Sequence, residues 1–458
     1  MKMTKPIFIH AIFIVLVAIN GCSTTGNTLR YSDDFESGNL PIVKQLDQRG
    51  RAWELALRND NDDASLPDSF RTWWYLRADD VPVRDKVRLE FSRLGSRYYF
   101  VPVYSYDQKN WQYFDEKEVT LMPGCDVHQP DTCRLIVNKQ FTEPTVWMAR
   151  TFPYTTQDLS AFLDSIAENK NVETSQLGLS PHFQKPLQLM SINDKTISSP
   201  KQTIWIHTRT HGAETGPSFV LEGLIRAVLA DDELGRALRQ HFIFKIVPMH
   251  NPDGVILGNY RTNASSINLE TQWQFSPGSP YLDRVAPVEN RLINEAMVNA
   301  MKNNKAPVVL ALNLHSTNSS PDTAAFFFPH FGNLAKYAET EQSLWKKQIS
   351  FIKSMAVHYD GRIEQPPLDE GGSGFLNNAY PETWWWVNKA DAINAITLET
   401  TYGRAGFDHW ITQDDLRNLG VALAKTINEM NTQLAFDADD MSMFRLPFNP
   451  GIYNARLK

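Results

Sequence analysis

Two rhythms of apolar residues run along this chain, and one gives way to the other near Thr155. Between about Tyr31 and Tyr154, aromatic and branched residues alternate with polar ones over short runs. Examples are Arg71-Thr-Trp-Trp-Tyr-Leu-Arg, Lys86-Val-Arg-Leu-Glu-Phe and Tyr98-Tyr-Phe-Val-Pro-Val-Tyr-Ser-Tyr. A period of two in side chains of this kind specifies strands with one buried face. Asp107-Gln-Lys-Asn supplies a turn between two such runs. Short strands at this spacing predict a small all-β sandwich domain over residues 31–154. Its aromatics read as core, with a carbohydrate-binding face as the sharper alternative.

From Thr155 onward strands and helices alternate. Thr155-Thr-Gln-Asp opens a helix whose apolar stripe is Leu159, Phe162, Leu163 and Ile166. Strands are predicted at Thr203-Ile-Trp-Ile-His-Thr, Phe242-Ile-Phe-Lys-Ile-Val-Pro, Val308-Val-Leu-Ala-Leu-Asn-Leu and Ile393-Asn-Ala-Ile-Thr-Leu. Helices are predicted over 218–229, 289–301 and 414–430. This order predicts an α/β catalytic domain over 155–430 with a central mixed, mostly parallel sheet. A tail, 431–458, carries no clear period, and there is no internal repeat. A chain of 458 residues is long enough for two such domains.

The first thirty residues follow neither rhythm. Lys2 and Lys5 precede an apolar stretch from Pro6 to Ile19 broken by one His. It is shorter than the roughly 20 residues that span a bilayer comfortably, and it reads as an export signal over 1–21. Ile19-Asn-Gly-Cys22 resembles the lipobox of bacterial lipoproteins, which implies a lipid on Cys22 and a polar tether over 22–30. A plain signal peptide or an uncleaved anchor is the alternative. The expected place is the bacterial cell envelope, at the outer membrane facing the periplasm. In that oxidising compartment Cys125 and Cys133 read as a local disulfide, with a metal role beside His128 as the alternative. Net charge is −7, with 42% hydrophobic and 21% charged residues. There is no basic block, so no nucleic-acid partner is expected, and oligomeric state is left open.

Candidate chemistry gathers where predicted strands end. Ile204-Trp-Ile-His-Thr runs into Arg209-Thr-His211-Gly-Ala-Glu214-Thr-Gly, a tight turn with an imidazole and a carboxylate three apart. His315 directly follows the predicted strand at 308–314. In open α/β sheets, ligands collect outside the carboxyl ends of the strands. Two His and one Glu at one metal leave a position for water or substrate, the pattern of a catalytic zinc. Glu399 follows the predicted strand at 393–398 and is placed to act as a general base. Arg261, beyond the turn Asn251-Pro-Asp-Gly, is a candidate for stabilising an oxyanion.

These residues resemble the zinc carboxypeptidases, in the branch of the cytosolic carboxypeptidases. The matching motifs are His211-Gly-Ala-Glu, Asn251-Pro-Asp-Gly-Val with Gly258-Asn-Tyr-Arg, the strand-terminal His315 and Thr397-Leu-Glu. Phe35-Glu-Ser-Gly-Asn-Leu and Ala149-Arg-Thr-Phe-Pro-Tyr-Thr extend the likeness into the sandwich. The resemblance implies one Zn²⁺ per chain on His211, Glu214 and His315, Arg261 at the oxyanion, Glu399 as base, and a peptide or peptide-like substrate. Tyr380 is similar to the family's mobile substrate tyrosine. One stretch departs from the pattern. Where the family has Asp-Leu-Asn-Arg, this chain has Asn268-Leu-Glu270-Thr271. The Asn-Arg pair grips a substrate's terminal carboxylate, which Glu270 and Thr271 are unsuited to do. Asn268 stands for the Asp that supports the first zinc His. Arg209 or Arg404 is the candidate substitute clamp, each equally readable as a structural ion pair. The expected activity is peptide hydrolysis with atypical recognition. The alternatives are an amidase, deacylase or esterase on a cell-wall or sugar-linked substrate, and a silent binding lipoprotein.

Overall fold

A computed structural model describes residues 29–95, 100–122, 132–317, 321–332, 334–366, 379–404, 406–430 and 440–444. The signal segment, Cys22, Cys125, His128 and most of the tail lie outside the described residues. No helix among the described residues is long and apolar enough to cross a membrane.

The first part of the chain is all β. Its strands are β1 (Arg30–Ser32), β2 (Ile42–Gln45), β3 (Ala52–Ala56), β4 (Tyr75–Asp79), β5 (Lys86–Ser92), β6 (Val103–Ser105), β7 (Gln112–Tyr113), β8 (Val119–Leu121), β9 (Arg134–Gln140) and β10 (Val146–Ala149). They form two five-stranded sheets, ordered β1-β4-β10-β6-β7 and β2-β3-β5-β9-β8. The alternating positions do what their period demands. Leu76 and Ala78 of one sheet share a core with Val87, Leu89, Phe91, Leu135 and Val137 of the other. The strand expected from Arg71 starts later: Asp68–Phe70 is a 3-10 turn and extended pairing begins at Tyr75. Trp73 and Trp74 are nonetheless buried.

The second part contains α1 (Thr156–Ile166), β11 (Val172–Leu179), β12 (Pro186–Ile192), β13 (Gln202–Thr208), α2 (Gly216–Leu229), α3 (Glu233–His241), β14 (Phe242–Val247), α4 (Pro252–Ile256), α5 (Val288–Met301), β15 (Val308–Ser316), β16 (Phe326–Phe328), α6 (Glu339–His358), α7 (Pro381–Lys389), β17 (Asn394–Thr400) and α8 (Gln413–Glu429). Seven strands pair in the order β11-β12-β14-β13-β15-β17-β16. The middle four, β14, β13, β15 and β17, run parallel. The outer strands β11, β12 and β16 pair antiparallel. The mixed, mostly parallel sheet is therefore present, with an antiparallel flank at each side.

Residue alternation in β15 and β17 makes the site. Leu312, Leu314, Ile396 and Leu398 face the core shared with α2 and α8. Asn313, His315, Thr397 and Glu399 take the other face. Parallel register sets Asn313 beside Thr397 and His315 beside Glu399. On the core side, α2 and α8 meet backbone to backbone. A Cβ on Gly223 would lie 1.9 Å from the Arg417 carbonyl oxygen.

The two parts also share their cores. Trp73, Tyr75, Val103, Ala149 and Phe152 belong to the core of the α/β part, while Tyr402 and Trp410 belong to that of the sandwich. The Tyr113 hydroxyl donates to the Ile411 carbonyl at 2.7 Å.

Candidate metal centre and cleft

β13 ends at Thr208, and the chain turns through Arg209, whose φ is 59°. That turn delivers His211, then Glu214 just before α2. Arg209 holds it from inside. The buried guanidinium donates to the Tyr154 carbonyl at 2.9 Å, Ser218 Oγ at 2.9 Å and the Gly212 carbonyl at 2.5 Å. Arg209 is therefore a strut of the ligand turn, the structural one of its two readings, though through carbonyl and hydroxyl acceptors rather than an ion pair. Gly212 is required by close approach: a Cβ there would lie 2.7 Å from the Asn259 carbonyl oxygen, in the loop that carries Arg261.

The three expected ligands converge. One donor atom each from His211, Glu214 and His315 lie within 4.8 Å of one another, all in buried residues. His211 Nδ1 is 2.8 Å from Glu214 Oε1, and His315 Nδ1 is 2.9 Å from Glu214 Oε2. The two Nδ1 atoms stand 3.2 Å apart. The far nitrogens are held from behind. His211 Nε2 meets Asn268 Oδ1 at 3.0 Å, and His315 Nε2 meets Glu270 Oε2 at 3.1 Å. An acceptor on Nε2 fixes the proton there and turns the Nδ1 lone pair inward, as metal-bound histidines require. Both imidazoles thus present Nδ1 to one point, with a carboxylate between them.

Charge tests the fit to a metal independently. Burial opposes charge on His315, yet Glu270 and Glu214 hold its pKa well above the usual value. Burial likewise opposes charge on Glu214, yet His211 and His315 hold it well below the carboxylate range. The carboxylates of Glu214 and Glu270 thus concentrate negative charge around the two imidazoles. The donor set therefore calls for a cation where the Nδ1 atoms meet, and two imidazoles with a carboxylate suit zinc.

Around this point lies a cleft of about 210 Å³ whose wall includes Arg261, Glu270, Tyr380 and Glu399. Glu399 opens partly to the cleft, and its Oε2 makes no hydrogen bond among the described residues. Desolvation, then the charge of Glu214, pushes its carboxyl up to about 8. Arg261 extends to 3.7 Å from Glu214 Oε1. Tyr380 sits at the wall as the residue preceding α7. Glu270, which stands where the family has its carboxylate-gripping Asn, is at the cleft wall but buried and gripped, by His315 on one oxygen and by Asn313 Nδ2 at 2.9 Å on the other. Thr271 lies outside the cleft wall and donates to the Asn268 carbonyl at 3.3 Å. Arg404 pairs with Glu116 of the sandwich and donates to the Asp408 carbonyl at 2.6 Å, so it too is structural. Cys133 is buried, and its expected partner Cys125 lies outside the described residues.

Two supporting carboxylates went unmarked in the sequence. Glu382, at the start of α7, accepts from Thr397 Oγ1 at 2.7 Å beneath the cleft. Asp60, from the sandwich, accepts the backbone N–H groups of residues 260–262. It lies in Asn59-Asp-Asn-Asp-Asp, a polar run that by itself signals only an exposed turn.

Comparison with known proteins agrees with this geometry. Residues 159–408 match the zinc carboxypeptidase family, and residues 31–150 match the cytosolic carboxypeptidase N-terminal domain. Cytosolic carboxypeptidase 6 of Mus musculus is 32% identical over 258 residues, covering 54% of this chain and 46% of that protein. Cytosolic carboxypeptidase 2 of Macaca fascicularis is 27% identical over 429 residues, covering 88% and 48%. The chain spans about half the length of the curated relatives it matches. Among solved structures, a metallo-carboxypeptidase from Burkholderia cenocepacia superimposes with a TM-score of 0.69 at 22% identity. The overlap covers 87% of this chain and 98% of that one, a likeness of fold. Since the first family match runs over more than half of its length, the chain belongs to the zinc carboxypeptidase family, with a domain of the cytosolic carboxypeptidase N-terminal type in front.

Proposed function

We propose that the protein is an exported, lipid-anchored zinc hydrolase that cleaves an amide bond in a peptide or peptide-like substrate without gripping a free terminal carboxylate. The observation that carries this reading is the convergence of two inward-facing Nδ1 atoms and one carboxylate beside Glu399 and Arg261. His211, Glu214 and His315 would hold one Zn²⁺ per chain. A divalent ion there supplies Lewis acidity, polarising the scissile carbonyl and lowering the pKa of water toward 7.

The remaining steps belong to side chains of this protein. Glu399 accepts the proton of the attacking water and returns it to the departing nitrogen. Desolvation raises the proton affinity of Glu399 above that of an ordinary carboxylate, which suits a group that takes a proton from water and hands it to a leaving nitrogen. Arg261 donates to the carbonyl oxygen as negative charge grows on it. Tyr380, at the wall, contacts the substrate chain.

Recognition follows from what the cleft offers. Glu270 is engaged by His315 and Asn313, and Thr271 lies off the wall, so neither is a clamp for an anion. That supports a substrate whose end at this subsite is blocked, neutral or cationic. The same observation favours, as a second reading, an amide or ester on a cell-wall or sugar-linked substrate. A silent binding protein has no use for a desolvated carboxylate held beside a ligand set. The N-terminal signal with Cys22 supports anchoring in a bacterial envelope, and the pair Cys125 and Cys133 is proposed as the disulfide that suits that compartment.

Replacement of Glu399 by Gln tests the reading. The zinc-loaded variant is expected to keep one zinc per chain while turnover of free, amidated and cell-wall peptides falls roughly 10²–10⁴-fold. A wild type that binds no zinc, or a Glu399→Gln form with full turnover, would overturn it.

A further inference from the structure

The loop that carries Arg261 is not held by its own domain alone. Asp60 sits in the sandwich, on a single 3-10 turn, and is 1% exposed. Its Oδ1 accepts the Tyr260 N–H at 2.6 Å. Its Oδ2 accepts the Arg261 N–H at 2.8 Å, the Thr262 N–H at 2.7 Å and the Thr262 hydroxyl at 3.1 Å. Three consecutive backbone donors thus end on one carboxylate from another domain. Asn61, at φ 54°, donates its side-chain amide to the Asn263 carbonyl at 2.9 Å and accepts from Asn259 at 2.9 Å. Asn39 donates to the Gly258 carbonyl at 2.8 Å. The side chain of Arg261 is met as well: its guanidinium carbon lies 5.9 Å from the ring centre of Phe70, again a sandwich residue.

We infer that the sandwich domain completes the cleft, with Asp60 as the positioning residue that fixes the Arg261 backbone and Phe70 as the platform for its guanidinium. This rests on the proposed role of Arg261 at the carbonyl oxygen. A residue that stabilises developing charge works only where it is held before the reaction begins, and a displacement of about 1 Å can cost roughly 100-fold in rate. Loop 251–263 has little regular structure beyond the five residues of α4. Left to itself, such a segment would sample several positions. A carboxylate that takes three N–H groups at once removes that freedom. Asparagine has the same size, but its amide nitrogen would face N–H groups it cannot accept from.

The experiment compares wild type, Asp60→Asn and Phe70→Leu as zinc-loaded full-length protein, each alone and combined with Arg261→Ala. Amide hydrogen exchange is followed across 258–263, with β13 and β15 as internal references. Turnover is followed on whichever free or amidated peptide the wild type cleaves. In Asp60→Asn, exchange at 260–262 is expected to rise at least tenfold with β13 and β15 unchanged. Turnover falls by about 10–100-fold, chiefly in kcat, as loss of one or two buried hydrogen bonds predicts. Phe70→Leu leaves exchange unchanged and lowers kcat a few-fold. In the Arg261→Ala background, both substitutions change kcat by less than about twofold, because their route to the reaction is already gone. Losses that multiply with that of Arg261→Ala would overturn the inference, as would unchanged exchange in Asp60→Asn. If Asp60→Asn does not fold, Phe70→Leu decides alone by the same non-additivity. If the wild type cleaves no peptide, the hydrolase reading fails instead, and exchange still reports whether Asp60 fixes the loop.

Discussion

Buried carboxylates crowd the floor of this cleft, and each has a different solution to its own charge. Glu214 faces the imidazoles, and Glu270 is held by His315 and Asn313. Glu382 accepts from Thr397 on Oε1, with the Asn313 side chain also within its reach, while its Oε2 is without a partner among the described residues. Desolvation, reinforced by the charge of Glu270, pushes its carboxyl up to about 7. Between about pH 4.5 and 7 the folded protein therefore holds a proton that the unfolded chain has released. Stability falls with rising pH across that window, and the full penalty is present above it. A displacement of this size corresponds to something on the order of 3 kcal/mol. Glu382→Gln keeps an acceptor for Thr397 and removes the charge. Chemical denaturation is expected to show the variant more stable than wild type at pH 8 by a large part of that amount, with the two nearly equal at pH 4. Equal stabilities at pH 8 would mean that Glu382 is solvated or paired in a way its surroundings do not indicate. At this scale the sequence was partly legible. His211, Glu214, His315 and Glu399 announced themselves by standing where strands end. Glu270 misled because its position resembles one that faces substrate, and its actual partner, His315, is 45 residues away in sequence.

Elements were legible in proportion to how far their own sequence dictates their burial. α1 begins where Thr155, three residues before Asp158, predicts it, and α8, expected from 414, begins at Gln413 behind the same kind of cap, Thr412 with Asp415. In both, the Thr side chain accepts the third backbone N–H and the Asp reaches back. β13, β14, β15 and β17 showed as apolar runs because both faces of a central parallel sheet are covered. β11 escaped notice for the opposite reason: as an edge strand it is mostly exposed, and its Val-Glu-Thr-Ser-Gln-Leu-Gly-Leu has no apolar period. α6 was missed although it is 20 residues long. Its Ser, Thr, Gln and Lys residues dilute the stripe, and Gln348 and Lys353 are buried by partners that only the fold supplies. The crossing of α2 and α8 gives an element-scale test in which two effects of opposite sign compete. Glycine in a helix interior costs about 1 kcal/mol relative to alanine, so Gly223→Ala would ordinarily stabilise. Here the new methyl would lie 1.9 Å from the Arg417 carbonyl oxygen, a backbone atom with no rotamer to escape into. Overpacking of this kind costs about 1–3 kcal/mol, and the steric term wins. Thermal unfolding of Gly223→Ala is expected at a lower midpoint than wild type, and a raised midpoint would show that the helices stand further apart.

For the whole molecule, the question is whether the sandwich and the α/β domain are separate stability units. Two-domain chains often unfold in steps, and the sequence, with its change of rhythm near Thr155, favours that view. The packing argues otherwise. Trp73, Tyr75 and Phe152 complete the α/β core, Tyr402 and Trp410 complete the sandwich core, and Arg404 with Glu116 bridges the two. Separating the domains would expose large aromatic surface on both sides, at roughly 25 cal/mol for each Å² of apolar area. The metal ligands add a second tie, since they join the turn after β13 to β15 at the centre of the sheet. Zinc binds the folded state through a site that the unfolded chain does not preserve. At a thousand times its dissociation constant it would contribute about 4 kcal/mol. Because the two cores interpenetrate, that contribution is expected to reach the sandwich as well. Calorimetry in the presence of zinc, and again after chelation, should show a single transition in each case, shifted to lower temperature as a unit when the metal is removed. Tryptophan fluorescence should follow the same curve as far-ultraviolet circular dichroism, because Trp53 and Trp74 report on the sandwich core and Trp205 and Trp345 on the α/β cores. If chelation moved one resolved transition and left a second in place, the sandwich would be an independent unit, and the shared aromatics would be a contact between finished domains.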